Sequence, residues 1–348
     1  MLRLPRLAAA APHGGPALSA DAARAAAAPK RRSAARDAAE LAAFRIAAGL
    51  LALLPRRAAA GLGAAAVRAY ARIGSSRSRI QSENLRAAFP DKSDAEIARL
   101  ARESAGWLGT AFVEFLQVSG MSEADIRSRV RVVGEENLAA ARARGRGVFL
   151  LSAHFGGWEL GAIRAGLIAG PIAPVVRPLD NPRLERELAR RRTRFGNRLI
   201  AKRDAARDIL RALRQGETVA ILVDQNVLAR EAVFVPFFGR LAATTPALAL
   251  FQLKTDAAVV PAMVWPEGAG RYRLELGTPI LADEFRSPEL DREESVRRAT
   301  ARYMEVTEAT VRGKPEVWLW MHNRWRTRPE DPAGGGRQAA DRNPEGSA

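Results

Sequence analysis

The chain has 348 residues, with 55 Lys and Arg against 38 Asp and Glu, a formal net charge of +17, three histidines and no cysteine. The lack of cysteine excludes disulfides, thiolate metal sites and a covalent Cys nucleophile, and 47% hydrophobic residues are ample for a buried core. The basic excess points to an anionic partner: nucleic acid, an anionic membrane, a phosphorylated substrate or an acidic carrier protein.

In chain order, residues 1–38 are Ala, Arg and Pro with little pattern and lack the apolar core and cleavage site of a secretory signal, so a disordered tail is expected. From Leu41 the text becomes LAAFRIAAGLLALLPRRAAAGLGAAAVRAYARI, two apolar runs of about ten residues split by Pro55-Arg56-Arg57. Neither reaches the roughly 20 apolar residues that span a bilayer. The segment suits a helical hairpin or interfacial anchor whose arginines meet phosphate head groups; a buried Ala-rich core helix is the other reading. GLGAAA at Gly61 to Ala66 matches a loose dinucleotide fingerprint, but no strand precedes it, so that reading is set aside.

Residues from Ser93 to about Ser119 start acidic and carry apolar residues at helical spacing, which predicts an amphipathic helix or helix pair. After it the period shortens. GVFLLSAH, IAPVVRP, TVAILVDQ, AAVVPAMVW and YRLELG are apolar runs of strand length, the first three separated by helical patterns at Leu184 to Phe195 and Ala205 to Arg214. That alternation predicts an α/β fold with a mixed, largely parallel sheet flanked by helices. The last residues, 329–348, are Gly, Pro and polar and are expected to be disordered.

LLSAHFGGWEL places His154 between an apolar run and Gly156-Gly157, five residues before Glu159. Residues five apart on one helix point about 140° away from each other, so the two meet only across a strand-to-turn-to-helix corner. In such a corner Glu159 accepts a hydrogen bond from one ring nitrogen of His154 and leaves the other as a general base for acyl transfer. The bland alternative is a satisfied core or capping histidine beside an ordinary first-turn acid. His13 and His322 lie in unrelated contexts, so no metal site is expected. Asn181 to Gln215 holds twelve basic residues against four acidic ones, either a solvated helix face or an arginine cluster for phosphates or an acidic carrier. Trp318 and Trp320 are read as core. No recognisable nucleic-acid module is present, so nucleic acid is not expected as a partner.

LSAHFGGWELG, RPLDNPRLERELARRRTRFG, ILVDQNVLAREAVFVPFFGRLAATTPALALF and VWLWMHNRWRTRP, in that order, resemble the late acyltransferases of lipid A biosynthesis, the lauroyl/myristoyl transferase family. IQSENLRAAFPDKSDAEIARLARES upstream fits as well. The resemblance implies a glycerolipid acyltransferase-like fold, with a helical membrane-associating region over 39–130 and a catalytic domain over 131–328. It carries the H-x4-(D/E) pair onto His154 and Glu159, a catalytic arginine onto Arg192 with Arg194 as second choice, and an aspartate onto Asp224, which would position a neighbouring base or substrate. Arg177, Arg194, Gln225 and Thr244 are the implied substrate-binding residues. The implied reaction takes a fatty acyl chain from acyl carrier protein, with acyl-CoA as the other possible co-substrate and no bound cofactor, to a hydroxyl of an anionic glycolipid. The implied location is the cytoplasmic face of a bacterial inner membrane, in contact with its lipids. Mannoside acyltransferases share the pattern, so another glycolipid or a lysophospholipid is the alternative acceptor; a non-catalytic basic membrane-binding protein is the rival from another class.

Overall fold

The computed structural model describes residues 32–202, 205–268 and 270–330; the two tails expected to be disordered fall largely outside them. One boundary moves. Helix α1 (Ala34–Ala52) begins inside the stretch assigned to the N-terminal tail, because the Ser33 hydroxyl accepts from the Arg36 amide and Asp37 supplies first-turn negative charge.

Pro55 ends the first apolar run, and α2 (Arg56–Arg72) follows it. Between them α1 and α2 bury only Asp37, Ala59 and Ala64, while Ile46, Leu50, Leu53, Leu62 and Ile73 are exposed. This excludes the buried core helix. No helix among the described residues is long and apolar enough to cross a membrane. The GLGAAA stretch has a packing role: α2 crosses α4 (Asp94–Gln117) where Gly63 faces Gly109, and a Cβ on either would run into the other's backbone. Helix α3 (Ser76–Ala88) lies between them in sequence. The predicted amphipathic segment is the single helix α4, started by a capping box between Ser93 and Glu96.

The rest alternates as read, with additions. After α5 (Glu123–Arg129) come β1 (Val130–Val133), α6 (Glu135–Ala143), β2 (Val148–Ser152), α7 (Trp158–Ala169), β3 (Ile172–Val176), α8 (Pro182–Thr193) and β4 (Ile200–Ala201). Then follow α9 (Ala205–Arg214), β5 (Thr218–Leu222), the hairpin β6 (Val233–Phe237) and β7 (Arg240–Thr244), α10 (Ala247–Thr255), β8 (Ala258–Gly268), β9 (Arg271–Leu276) and α11 (Arg292–Gly313). The main sheet runs β1-β9-β8-β2-β5-β3-β4, with β8 and β9 as its antiparallel pair and the other neighbours parallel. Central β2 is covered on both faces: Phe149 and Leu151 enter one apolar cluster, Val148 and Leu150 the other. Period-two alternation with no polar side is what a strand covered on both faces requires. Helix α1 packs on both α4 and α8, with Asn181 Nδ2 donating to the Asp37 carbonyl at 3.1 Å and Arg45 pairing with Glu187 at 2.9 Å.

Past β2 the chain turns sharply. Gly156 has φ of +58°, and a Cβ there would strike the Val264 carbonyl. The C-terminal segment straps this turn: the Gly156 amide donates to the Val317 carbonyl at 3.0 Å, and the Leu319 amide to the His154 carbonyl at 3.2 Å. Asn84 and Ser104 tie the strap to α3 and α4 through the carbonyls of Trp320, His322 and Trp318. Gly156→Ala should therefore lower the melting temperature by roughly 5 °C or more, since the left-handed φ alone costs about 1–2 kcal/mol before the clash is counted; thermal denaturation with a parallel activity assay checks it.

Candidate active site

The site lies at the carboxyl ends of β2 and β5, where open α/β sheets place ligands. Parallel register sets Ser152 against Leu222, so His154 and Asp224, each two residues further, come side by side. Asp224 is 1% exposed and accepts from three donors. The His154 amide reaches Oδ2 at 2.9 Å, the Trp318 indole N–H reaches Oδ2 at 2.8 Å, and His154 Nδ1 lies 2.9 Å from Oδ1. Burial alone would raise the Asp224 pKa, but His154 and these donors outweigh it and hold it down to about 2. Burial disfavours the charged form of His154, yet the Asp224 carboxylate outweighs that and the net shift is upward. An ionised Asp224 fixes the Nδ1–H tautomer and leaves the Nε2 lone pair facing outward, where Gln225 Nε2 sits at 3.2 Å.

Glu159 does not orient His154; this expectation is corrected. It stands in the first turn of α7, facing α8, and its carboxylate is gripped by Arg192, with Nη2 at 2.7 Å and Nε at 3.1 and 3.2 Å from the two oxygens. Arg192 also lies 5.6 Å over the Phe115 ring. The H-x4-E spacing thus supplies one half of a buried His-Asp pair and one half of a Glu-Arg fork, not a pair with itself.

Beside this fork opens an apolar cleft of about 170 Å³ between Leu108, Phe112 and Phe115 of α4 and Leu188 of α8, with Trp158 and Arg192 at its walls. The His154 ring contacts Trp158 edge-on, centroids 5.5 Å apart, and Trp158 in turn walls the cleft. Glu114 lines the inner end; its pKa is raised by burial, partly offset by the Tyr272 hydroxyl that donates to it. Gly157, the N-cap of α7, makes no side-chain capping bond and also lines the cleft.

The substrate-binding candidates other than Gln225 are not brought there. Arg194 is exposed away from the cleft and donates to the Met121 carbonyl at 3.3 Å. Arg177 is 80% exposed and 3.8 Å from Asp180. Thr244 is fully buried: its hydroxyl donates to the Ala242 carbonyl and accepts from Arg324. Trp318 and Trp320 are core as read, at 2% and 0% exposed, and Trp318 in addition serves Asp224.

His322 was read as remote, and that is corrected. Burial lowers its pKa to about 4, and the neutral ring accepts the Asn226 amide proton at Nε2, 2.9 Å away. It thereby fixes the Gln225-Asn226 loop. The WLWMHN stretch held the signal, but nothing in the text placed it against β5. Among the described residues no group of three or more His, Asp or Glu side chains could hold a metal ion.

A histidine held by a buried aspartate, an arginine fork and an apolar cleft suit acyl transfer, and comparison with known proteins decides the family. The profile of the bacterial lipid A biosynthesis acyltransferases matches residues 31–327. The chain belongs to this family. Its curated relatives include the lipid A biosynthesis lauroyltransferase of Escherichia coli (strain K12), 31% identical over 278 residues, 79% of this chain and 86% of the relative. The palmitoleoyltransferase of the same organism is 31% identical over 256 residues, 73% and 80% of the two chains. The myristoyltransferase is 29% identical over 261 residues, 74% and 77%. As a lipid A biosynthesis acyltransferase, the chain is an O-acyltransferase, and the cleft and polar pairs described above are this acyltransferase's candidate machinery.

Asp224→Asn should lower kcat/KM by roughly 10²-fold or more, the ordinary contribution of a positioned base. A base at His154 would work only when neutral, so wild-type activity is expected to fall as pH drops through the raised His154 pKa; without the carboxylate that pKa falls, and the acid limb of the residual pH profile should move to lower pH. For the fork, Arg192→Ala strands a part-buried Glu159 carboxylate, so Glu159→Ala/Arg192→Ala should be no less stable than Arg192→Ala alone, as urea denaturation of the double-mutant cycle would report.

Proposed function

We propose that the protein transfers a fatty acyl chain from the thioester of acyl carrier protein to a hydroxyl of a lipid A precursor, with His154 as base. His154 Nε2 takes the proton of the acceptor hydroxyl, whose oxygen attacks the thioester carbonyl carbon. The C–S bond then breaks, and the leaving thiolate sulfur receives the proton held on Nε2. Asp224 keeps Nδ1–H in place and stabilises the imidazolium formed midway. The acceptor takes the place of the Gln225 amide at Nε2, and Arg192, held by Glu159, offers positive charge at the cleft.

The single observation that supports this reading is the contact of the Asp224-held His154 ring with Trp158, a wall of the apolar cleft. A hydrocarbon chain gains about 0.8 kcal/mol per CH₂ on leaving water, so the cleft favours an acyl chain over a polar ligand. The exposed apolar residues of α1 and α2 support peripheral membrane association of the enzyme, with the Pro55-Arg56-Arg57 turn near phosphate head groups.

The test offers detergent-solubilised protein a tetra-acylated lipid A precursor with mixed acyl carrier protein thioesters and reads product mass. The expected product gains one acyl unit and is absent with His154→Ala, in which turnover falls by orders of magnitude while the circular dichroism spectrum is kept. Near-normal turnover in that variant removes His154 from the mechanism. Acyl label appearing instead on a glycerophospholipid or mannolipid offered in parallel moves the reaction to another acceptor.

A further inference from the structure

Helix α8 has two faces of different chemistry. Its inward face delivers Leu188 and Arg192 to the cleft. Its outward face carries Arg183, Arg186, Arg190 and the C-cap Arg194, all exposed. At 100° per residue these four fall within an arc of about 80°, and Arg192 lies about 160° from its centre. The periodicity of RLERELARRRTR therefore sorts its arginines into one that serves the cleft and a row that faces solvent.

The row is not consumed by the fold. The guanidinium groups of Arg183 and Arg186 have no partner among the described residues. Arg190 lies 3.8 Å from Glu187, whose carboxylate already holds Arg191 at 2.6 Å and Arg45 at 2.9 Å. Glu185 is turned back onto the Leu179 amide at 2.8 Å. Like charges at i, i+3 and i, i+4 repel along a helix, so the folded chain alone gains nothing from the arrangement.

Two anionic surfaces can meet such a row, an acidic protein or a bilayer, and the distribution of apolar side chains separates them. Surfaces that enter a bilayer interface insert large apolar groups. Here these concentrate along α1 and α2, with single exposed residues elsewhere such as Phe112 on α4 and Leu179 ahead of α8, and none is exposed on α8 itself. A flat row of guanidinium forks repeating every three or four residues matches the carboxylates of an acidic helix, which recur at the same spacing and bind arginine bidentately.

We propose that Arg183, Arg186 and Arg190 form the docking face for an acidic helical carrier protein, which presents its acyl thioester to the cleft across the same helix. This rests on the donor reading above. The docked carrier stands one helix diameter, about 10 Å, from the cleft wall, and the bound helix orders α8 where Arg192 grips Glu159.

The test compares KM for a carrier-bound thioester and for the coenzyme A thioester of the same chain, with the full protein and its R183E/R186E/R190E variant. The expected result is a rise of about tenfold or more in KM for the carrier-bound donor, with kcat and the KM for the coenzyme A donor kept within about twofold. The wild-type KM for the carrier should also climb with salt, and the variant's should not. An unchanged carrier KM, or an equal rise for both donors, overturns the docking face. So does loss of co-sedimentation with phosphatidylglycerol vesicles at an unchanged carrier KM, which makes the row a membrane contact. A wild type that turns over only the coenzyme A donor removes the donor reading itself; a wild-type preference for the carrier that survives in the variant removes only the docking face.

Discussion

The site depends on one buried carboxylate. Asp224 joins three parts of the chain that are distant in sequence: the end of β5, the turn after β2 and the C-terminal strap through Trp318. A hydrogen bond to a charged group contributes roughly 1.5–3 kcal/mol, and a buried charge left without partners costs more than that. The arrangement therefore holds as a unit. If Trp318 moves, Asp224 loses a donor; if the turn at Gly156 opens, both the ring and the amide of His154 leave together.

Around that carboxylate the two polar pairs are kept apart. The His154–Asp224 pair belongs to strand ends and is fixed by the sheet register, whereas the Glu159–Arg192 pair bridges two helices, α7 and α8. One is part of the rigid layer and the other spans elements that pack by side chains. Positioning of the proton-transfer group and positioning of the positive charge can thus be altered independently, and the cleft lies where the two meet.

How much of this was legible follows from which signals are local. The apolar runs at Val148 to Ser152 and Thr218 to Leu222 announced strands, and His154 and Asp224 could be placed at their ends. That the strands are neighbours, and that Asp224 therefore belongs to His154, is set by sheet order, which no local pattern encodes. Spacing suggested Glu159 as the partner because it is close in sequence; the helix start at Trp158 turns it toward α8 instead. The roles of His322 and Trp318 were invisible for the same reason, since they come from a strap that returns to the loop after β5 and the turn after β2 from far along the chain. The exposed face of α1 was half legible: the text gave its apolarity, and only packing distinguished a surface helix from a core one. The motif order shared with lipid A acyltransferases supplied the candidate residues, while the pairing among them had to be seen in the fold.

Helix α1 rests on α4 and on α8, the two walls of the cleft. It is a brace as well as a surface. Trimming the chain at Pro55 to obtain a better-behaved soluble fragment would remove the contacts of Phe44 with Arg191 and of Arg45 with Glu187, and so loosen the wall that carries Arg192. A shortened protein that expresses well is for that reason a poor reference for the enzyme's acyl preference, because the width of its cleft is no longer set by the same helices.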